Sequence, residues 1–349
     1  MSSIPLVPSG ETVSGEPRWL ERSLQVTPGR DPLGFQTITT DGIMPRLVPG
    51  ILALSRRARY FSYYAFLLYE YQARQMPASN QELSMFVRWR EYEYAVAIQL
   101  CSNGCGGLAT GAIGKERAAP AARRLGSNLD RDYSVESPLG GYGLYYRTPL
   151  RDLRIVAPQG TPLGDGFTPV DVLFDDRARK LVQAFRNVIV DTDYYRYHMF
   201  GFDPIPVAAL HEFGERACLC RLAESPLERQ LIREALIEPS EGLLPEDVRR
   251  RRDAFTLFLR VLDVDRRAAR DDGVFRAVVW NLFQQNRDAR TRWTEVVARW
   301  AALTAKEYLQ EAISTIWASF CRLGHQRQDA AGFDRDGLDR LVRVGLFES

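Results

Sequence analysis

One stretch of the sequence, RYFSYYAFLLYEY at residues 59–71, is apolar or aromatic on nearly every face of a helix. A helix of this composition has no polar side to turn toward water, so other elements must surround it. The flanking residues extend the predicted helix from Arg56 to about Arg74, with Ser55 as its N-cap. The sequence therefore predicts a multi-helix bundle built around this helix.

Three arginines, Arg56, Arg57 and Arg59, stand at the start of this predicted helix. Positive side chains there oppose the helix dipole, at a cost of about 0.3–1 kcal/mol each when exposed. From Gly42 to Tyr69 the chain has no Asp or Glu, so the counter-charge must come from elsewhere. Either distant carboxylates of the same chain pair with the arginines, or an external anion binds them.

An external anion would make this segment a nucleic-acid contact. Helix N-termini and arginines both bind phosphate, and aromatic rings stack on bases. On this alternative, the candidate contacts are the three arginines together with Tyr60, Tyr63 and Tyr64.

The middle of the chain predicts a small α+β segment. The predicted elements are a short helix at about 146–153, a brief apolar strand, LRIV, a Pro/Gly-rich turn and a helix from Asp175 to about Val190. This order resembles the recognition helix, wing and following helix of a winged-helix module.

Three further arginines, Arg147, Arg151 and Arg154, lie at spacings of four and three, so they share one face of the short helix. Such a face suits contact with a DNA groove or its phosphates, beside Tyr145 and Tyr146. Arginines that only face solvent would give the same spacing.

The C-terminal part of the sequence predicts long helices. Ser225 and Glu228 have the spacing of a capping box, and Pro245 stands in the first turn of the next helix. One predicted stripe on that next helix is Phe255, Phe258, Leu259 and Leu262. The longest helix, about 288–323, carries apolar residues at spacings of four, three, four and three, namely Leu309, Ile313, Ile316, Phe320 and Leu323.

Charge and composition exclude several classes. The formal net charge is +2, so the chain has no overall field that would mark a nucleic-acid binder, and any such role depends on local clusters. No apolar run approaches the roughly 20 residues that span a bilayer, and the N-terminus has no signal-peptide pattern. We expect a cytoplasmic location and no membrane partner.

The five cysteines are an odd set in a chain without export features, which favours free thiols over disulfides. Cys101 and Cys105, Cys218 and Cys220, and Cys321 with His325 are three pairs that would have to converge to bind a metal. Their spacings differ from the C-x2-C pairs usual in structural zinc sites, and cysteine is a common buried residue. The sequence therefore predicts no metal ligands and no cofactor.

No complete catalytic motif is present, so the sequence predicts no catalytic residues and favours a non-enzymatic protein. The alternative is a divergent metal-dependent nuclease or hydrolase, with Asp171, Asp175 or Asp176 converging on Glu212 or Glu215 in a pocket. A third possibility is a structural protein whose long C-terminal helices bind a coiled-coil partner. An exposed aromatic stripe that involves Trp293, Trp300 or Trp317 would favour this third possibility.

Several segments together resemble an uncharacterised bacterial family: Pro49-Gly50, RRARYFSYYAFLL, RWREYEYA and GGYGLYYRTPLRDLRIV. Its members carry a similar PG…RARYF element, and the resemblance covers about residues 34–190. The proteins that it is similar to are associated with mobile-element and phage-defence gene clusters, beside helicases or other ATPases. The resemblance implies a nucleic-acid-linked partner, without any catalytic residue that could be transferred.

These observations predict a mainly α fold, a multi-helix bundle with a small α+β, winged-helix-like insert. The expected parts are an extended arm (1–40), a helical domain (41–130), the winged-helix-like segment (131–200) and a C-terminal helical domain (201–349). The expected function is that of a non-enzymatic accessory or sensor subunit of a bacterial anti-phage defence or DNA-transaction system. Its candidate partners are double-stranded DNA and a larger protein complex that includes an ATPase or helicase.

Overall fold

The computed structural model describes residues 38–52, 55–105, 112–124, 126–163, 166–239, 243–286 and 291–326. The fold is mainly helical, as the sequence predicted, and small two-stranded sheets lie in the middle of the chain. The predicted N-terminal arm falls almost entirely outside the described residues. Among the described residues, no helix is both long enough and apolar enough to cross a bilayer.

The α-helices are α1 (Met44–Leu47), α2 (Arg59–Ala73), α3 (Asn80–Leu100), α4 (Lys115–Arg124), α5 (Arg147–Asp152), α6 (Asp176–Ile189), α7 (Val207–Ala217), α8 (Pro226–Ile237), α9 (Pro245–Val264), α10 (Asp272–Gln285) and α11 (Arg292–Gln326). Short π-helical turns lie at Ile38–Ile43, Tyr142–Tyr146 and Tyr194–His198, and 3-10 turns at Leu219–Glu224 and Arg266–Ala269.

The strands are β1 (Asn128–Leu129), β2 (Val156–Ala157), β3 (Pro162–Leu163), β4 (Gly166–Phe167), β5 (Val172–Leu173) and β6 (Ile205–Pro206). They pair antiparallel as β1 with β6, β2 with β5 and β3 with β4. Each strand has two residues, so the sheets tie loops together and do not form a layer of their own.

Helix α2 lies at the centre of the larger hydrophobic core, as its composition predicted. Twelve of its fifteen residues are buried, and it packs against α6, α3 and α8. Aromatic side chains fill much of this core: Tyr60 stacks on Tyr64 with ring centroids 5.4 Å apart, and Tyr63 stacks on Tyr94 at 4.2 Å.

The helix begins three residues later than predicted. Ser55 is not its N-cap, because the Ser55 hydroxyl donates to the carbonyl oxygen of Tyr145 at 2.6 Å. The N-cap is Ala58, whose side chain offers no hydrogen bond. Arg56 and Arg57 therefore precede the helix, and only Arg59 lies in its first turn.

Helices α3 and α7 are in close contact near their C-terminal ends. A Cβ built on Gly214 would lie 2.2 Å from the carbonyl oxygen of Ala97, so only glycine permits this approach. α3 ends three residues after Ala97, and α7 ends three residues after Gly214. The contact therefore brings the two segments that follow these helices to the same place.

A second, smaller core lies between α9, α10 and α11. It is built from side chains such as Leu257, Val261, Val279 and Val297. The stripe predicted on α9 lies on the wrong side of the helix, since Leu259 is 64% exposed and the buried apolar positions are Val248, Ala254, Leu257 and Val261. Apolar residues occupy both sides of α9, so the spacing alone did not decide which side faces α10.

Candidate metal centre

Arg59 has an internal partner. Its guanidinium binds both carboxylate oxygens of Glu228, at 3.3 and 3.2 Å, and both side chains are almost fully buried. The Ser62 hydroxyl also donates to the Glu228 carboxylate. The structure thus corrects the nucleic-acid assignment of Arg59 in favour of the alternative of a distant carboxylate. Glu228 is consequently not part of a capping box, and Ser225 makes no side-chain cap.

The base-stacking prediction for Tyr60, Tyr63 and Tyr64 is also corrected, because their side chains are at most 1% exposed. Their hydroxyls take part in the core. Tyr60 accepts from the backbone N–H of Ile113 at 2.9 Å, Tyr63 donates to the Arg90 carbonyl at 2.7 Å, and Tyr64 donates to the Glu91 carboxylate at 2.8 Å.

The remaining arginine candidates lie in different surroundings. Arg147 forms a two-point ion pair with the buried Asp171, at 2.6 and 2.9 Å, and is 36% exposed. The Arg154 guanidinium lies 3.8 Å from the ring centroid of Phe174. Arg151 is 54% exposed and pairs with Asp152, while Arg56 is exposed and Arg57 half-buried. A DNA-contacting role for Arg56, Arg57 and Arg151 stays a prediction, as does the winged-helix order.

The acids of the nuclease alternative are each engaged separately. Asp171 binds Arg147 and Tyr142, Asp175 caps α6 by accepting from the N–H of Ala178 at 2.9 Å, and Asp176 pairs with Arg179. Glu212 pairs with Arg216, and Glu215 with Arg221. Each of the five carboxylates thus has a hydrogen-bond or ion-pair partner of its own.

Four cysteines converge where α3 and α7 end. Cys101, Cys105, Cys218 and Cys220 have sulfur atoms that all lie within 4.8 Å of one another. The Sγ atoms of Cys101 and Cys220 are 3.8 Å apart, and the four cysteines are free thiols. Cys101, Cys105 and Cys218 are buried, and Cys220 is half-buried. In the part of the chain that the structure describes, these four cysteines are the one group of three or more potential metal ligands that lie close together.

Two short loops present the cysteines. Cys101 is the C-cap of α3, and the chain turns at Gly104, whose φ of +66° is a conformation that favours glycine, to bring Cys105 back. Cys218 is the C-cap of α7, and Cys220 lies two residues on, in the 3-10 turn Leu219–Glu224. Each pair therefore follows a helix end, and the contact at Gly214 brings the pairs together.

Polar contacts fix the positions of the two cysteine loops relative to each other. Ser102 donates its hydroxyl to Glu215 at 2.8 Å, and Arg221 donates to the same carboxylate at 2.8 Å, so one loop is bound to the other. The Nδ2 of Asn103 donates to the Cys220 sulfur at 3.4 Å. Such outer contacts orient metal-binding side chains in proteins.

Arg59 also supports this site. Besides Glu228, its guanidinium donates to the carbonyl oxygens of Cys218 at 2.6 Å and of Arg216 at 3.1 Å. The arginine that the sequence presented as a surface contact thus fixes the backbone of a cysteine loop from inside the core. It also places a positive charge beside a site where four thiolates would meet.

Burial shapes the acid–base properties of the thiols. It raises the pKa of Cys105 to about 11 and raises the pKa of Cys218 well above its ordinary value. Burial also opposes ionisation of Cys220, yet hydrogen bonds from Asn103 and the other cysteines hold the pKa of Cys220 below its ordinary value. A bound dication lowers the pKa of coordinating thiols until they ionise, so a metal would compensate the cost of four thiolates here.

Comparisons of the chain with protein families, with curated proteins and with solved structures find no match. The resemblance inferred from the sequence therefore stays an expectation.

The sequence contained a partial signal for this cluster. The prediction of no metal ligands weighed each cysteine pair by its own spacing, Cys101-x3-Cys105 and Cys218-x-Cys220. Neither spacing is typical by itself. The two pairs are separated by more than a hundred residues, and the packing of α3 against α7 brings them together.

Proposed function

We propose that the protein is a non-enzymatic helical binding protein whose fold is cross-linked by one structural Zn²⁺ ion. The ion is held by Cys101, Cys105, Cys218 and Cys220. The observation that carries this proposal is the convergence of four cysteine sulfurs within 4.8 Å of one another.

The distances favour a single Zn²⁺ ion. In a tetrahedral site with Zn–S bonds of about 2.3 Å, neighbouring sulfurs are about 3.8 Å apart. Cys101 and Cys220 have this separation, 3.8 Å. A cluster of several irons also uses four cysteines, but its irons and sulfides must fit between them and need a wider opening. A single tetrahedral ion fits the four thiols with little movement.

A site with four protein ligands supports a structural role. Catalytic zinc sites keep one position open for water or substrate, whereas structural sites fill all four with cysteine or histidine. The carboxylates that could have served a hydrolase are engaged elsewhere, Asp171 with Arg147 and Glu215 with Arg221. Both observations favour a protein that binds over one that catalyses.

The ion would join parts of the chain that are far apart in sequence. One cysteine pair follows α3 and the other follows α7, so the metal would tie both helix ends to the 3-10 turn before α8. Metal binding at such a site contributes directly to folding free energy, so the folding of the helical unit around the larger hydrophobic core would depend on the ion. That unit would then present exposed residues such as Arg56 and Arg151 to a partner.

Within this proposal, the partner is double-stranded DNA or a larger protein complex of a bacterial defence or DNA-transaction system, as the sequence predicted. The exposed arginines Arg56 and Arg151 support the first, and the exposed apolar side chains of the C-terminal helices support the second.

Metal analysis of the purified full chain tests the zinc site. We expect about one Zn²⁺ per chain, and no visible absorption of the kind that iron–sulfur clusters give. Replacement by Co²⁺ is expected to give a thiolate-to-cobalt charge-transfer band and the visible bands of a tetrahedral site. Cys101→Ser and Cys218→Ser should lose the metal, whereas Cys321→Ser, at the fifth cysteine, should keep it. A chain that stays folded and binds neither ion would refute the proposal.

A further inference from the structure

The long helix α11 extends beyond the hydrophobic core into which its first half packs. Its first half packs into the C-terminal core through Val296, Val297 and Ala301. Beyond Thr304, none of the side chains that the structure describes on α11 is buried. Helix α10 contacts this half through Arg276, which pairs with Glu311 at 2.7 Å. More than three turns of helix follow Glu311.

The projecting half carries an apolar stripe, formed by Leu309, Ile313, Ile316 and Trp317. Leu309 and Trp317 are each 56% exposed and Ile316 is 40% exposed. At 100° per residue, Glu311 lies on the opposite side of α11 from this stripe. Since Arg276 of α10 pairs with Glu311, the stripe does not face α10.

This part of α11 has no charge to keep it in water. From Ala312 to Cys321 the sequence AISTIWASFC contains no charged residue. The hydroxyl of Thr315 donates to the Glu311 carbonyl at 2.8 Å, and that of Ser319 to the Thr315 carbonyl at 2.9 Å. Both hydroxyls are thus satisfied within the helix, so burying this segment would leave neither donor unpaired.

The spacing of the stripe is that of a coiled coil. Leu309, Ile313 and Ile316 are four and three residues apart, and the sequence continues this spacing with Phe320 and Leu323, whose side chains lie outside the described part. Apolar residues that alternate at three and four wind two helices around each other. Of the fifteen large apolar side chains exposed in the described regions, nine lie on α9, α10 and α11. The C-terminal unit is therefore where the apolar surface is concentrated.

We propose that the α11 stripe binds the same stripe of a second copy of this chain, so that the protein is a homodimer about a two-fold axis. Charge carries the choice of a second copy. Two identical helices repel each other when their flanking positions bear like charges, and unlike partners are usually selected by opposite charges there. The residues that flank the stripe at 310, 312 and 319 are Gln, Ala and Ser. Because the stripe carries no charge, two copies of it do not repel each other, and no pattern of charges selects a different helix as the partner.

A two-fold axis uses each of these side chains twice. Trp317 alone offers a large part of the roughly 150–250 Å² of an aromatic side chain, and two copies contribute it from both sides. Small flanking residues, Ala312 and Ser319, let the two backbones approach closely.

Sedimentation of the full chain over a dilution series tests the proposal, with two variants that each add one negative charge. Ile316→Glu places the charge on the stripe, and Ala318→Glu places it on the opposite side of α11. We expect the unchanged protein to have twice the monomer mass. Ile316→Glu should weaken dimerisation at least about 100-fold, because each dimer would bury two carboxylates. Ala318→Glu should stay within about twofold of the unchanged protein, as surface changes usually do.

Circular dichroism of both variants establishes that they are folded. A monomer at every concentration overturns the proposal. Equal dimerisation of the two variants overturns it as well, because the stripe would then not be the interface. Neither result bears on the metal site, so this proposal and the zinc proposal fail independently.

Discussion

Replacing Arg59 by Met removes a buried positive charge and keeps most of the aliphatic volume. Glu228 would lose the cation that binds both its oxygens, while the side chain stays buried. Breaking a buried ion pair by removing one partner costs about 3–5 kcal/mol, because an uncompensated charge stays in the core. At about 2–4 °C per kcal/mol, we expect the melting temperature to fall by about 6–20 °C.

The same substitution should weaken the metal site. Arg59 donates to the Cys218 carbonyl at 2.6 Å, so it holds the loop that carries two of the four sulfurs. Losing an outer contact of this kind typically costs about 10–100-fold in metal affinity. Competition with a chromophoric zinc chelator measures that loss, and thermal and urea denaturation measure the loss of stability.

Two further variants make the test specific. Arg56→Met changes a neighbouring exposed arginine and should alter stability by less than about 0.5 kcal/mol. The double variant Arg59→Met, Glu228→Met should be more stable than Arg59→Met alone, because it removes the unpaired carboxylate. If Arg59→Met behaves like Arg56→Met, the reasoning about the buried pair is refuted. If stability falls while zinc affinity is unchanged, Arg59 does not position the cysteine loop.

Three other perturbations have expected outcomes. Gly214→Ala should destabilise the protein by about 1–3 kcal/mol in thermal denaturation, because its Cβ would lie 2.2 Å from the Ala97 carbonyl oxygen. Burial opposes ionisation of Asp171, but hydrogen bonds from its arginine and tyrosine partners hold its pKa below the ordinary value. The pKa of Asp171 is lower in the folded protein than in the unfolded chain, where it is about 3.9, so the ionised carboxylate stabilises the fold above that pH. This stability is lost as pH falls through the native pKa, so Asp171→Asn should flatten the acid-denaturation curve in that range. If Arg56 and Arg151 contact DNA, changing each to Ala should reduce the salt-dependence slope of duplex binding by about 0.9.

Matched controls accompany these three. Gly201→Ala meets nothing nearer than 3.7 Å and should cost less than Gly214→Ala. Asp176→Asn changes an exposed carboxylate and should leave the acid denaturation curve close to that of the unchanged protein. For DNA, a variant of the exposed Arg229 on α8, Arg229→Ala, serves as the comparison. Equal costs at the two glycines, an unflattened acid transition in Asp171→Asn, or unchanged salt slopes would each contradict the corresponding prediction.

Much of the fold followed from local pattern. The apolar character of residues 59–71 indicated a helix buried on all sides, and α2 is such a helix. Asp175, placed before an amphipathic stretch, caps α6 as helix-start chemistry predicts. Local pattern was less reliable at positions with two possible partners. Ser55 and Glu228 both have capping side chains, yet Ser55 binds Tyr145 and Glu228 binds Arg59.

The candidate site depended on long-range contacts. Cysteine spacing within one loop measures only half of a four-ligand site, and the other half lies beyond α7. Likewise, the absence of acids near Arg59 in sequence did not separate a distant carboxylate from an external phosphate. The partner of Arg59 and the convergence of the cysteines both depend on how helices far apart in sequence pack together. The residue pattern within one segment does not contain that information.

The sequence by itself determined that the chain is mainly helical, that α2 is buried, and that α11 carries an apolar stripe at coiled-coil spacing. These properties depend on residues a few positions apart, whose relative directions the helix geometry sets. The tertiary structure decided the partner of Arg59 and the convergence of the four cysteines. The cysteines converge because the close contact of Gly214 with Ala97 brings the ends of α3 and α7 to one place. Arg59 reaches Glu228 because α2 packs against α8.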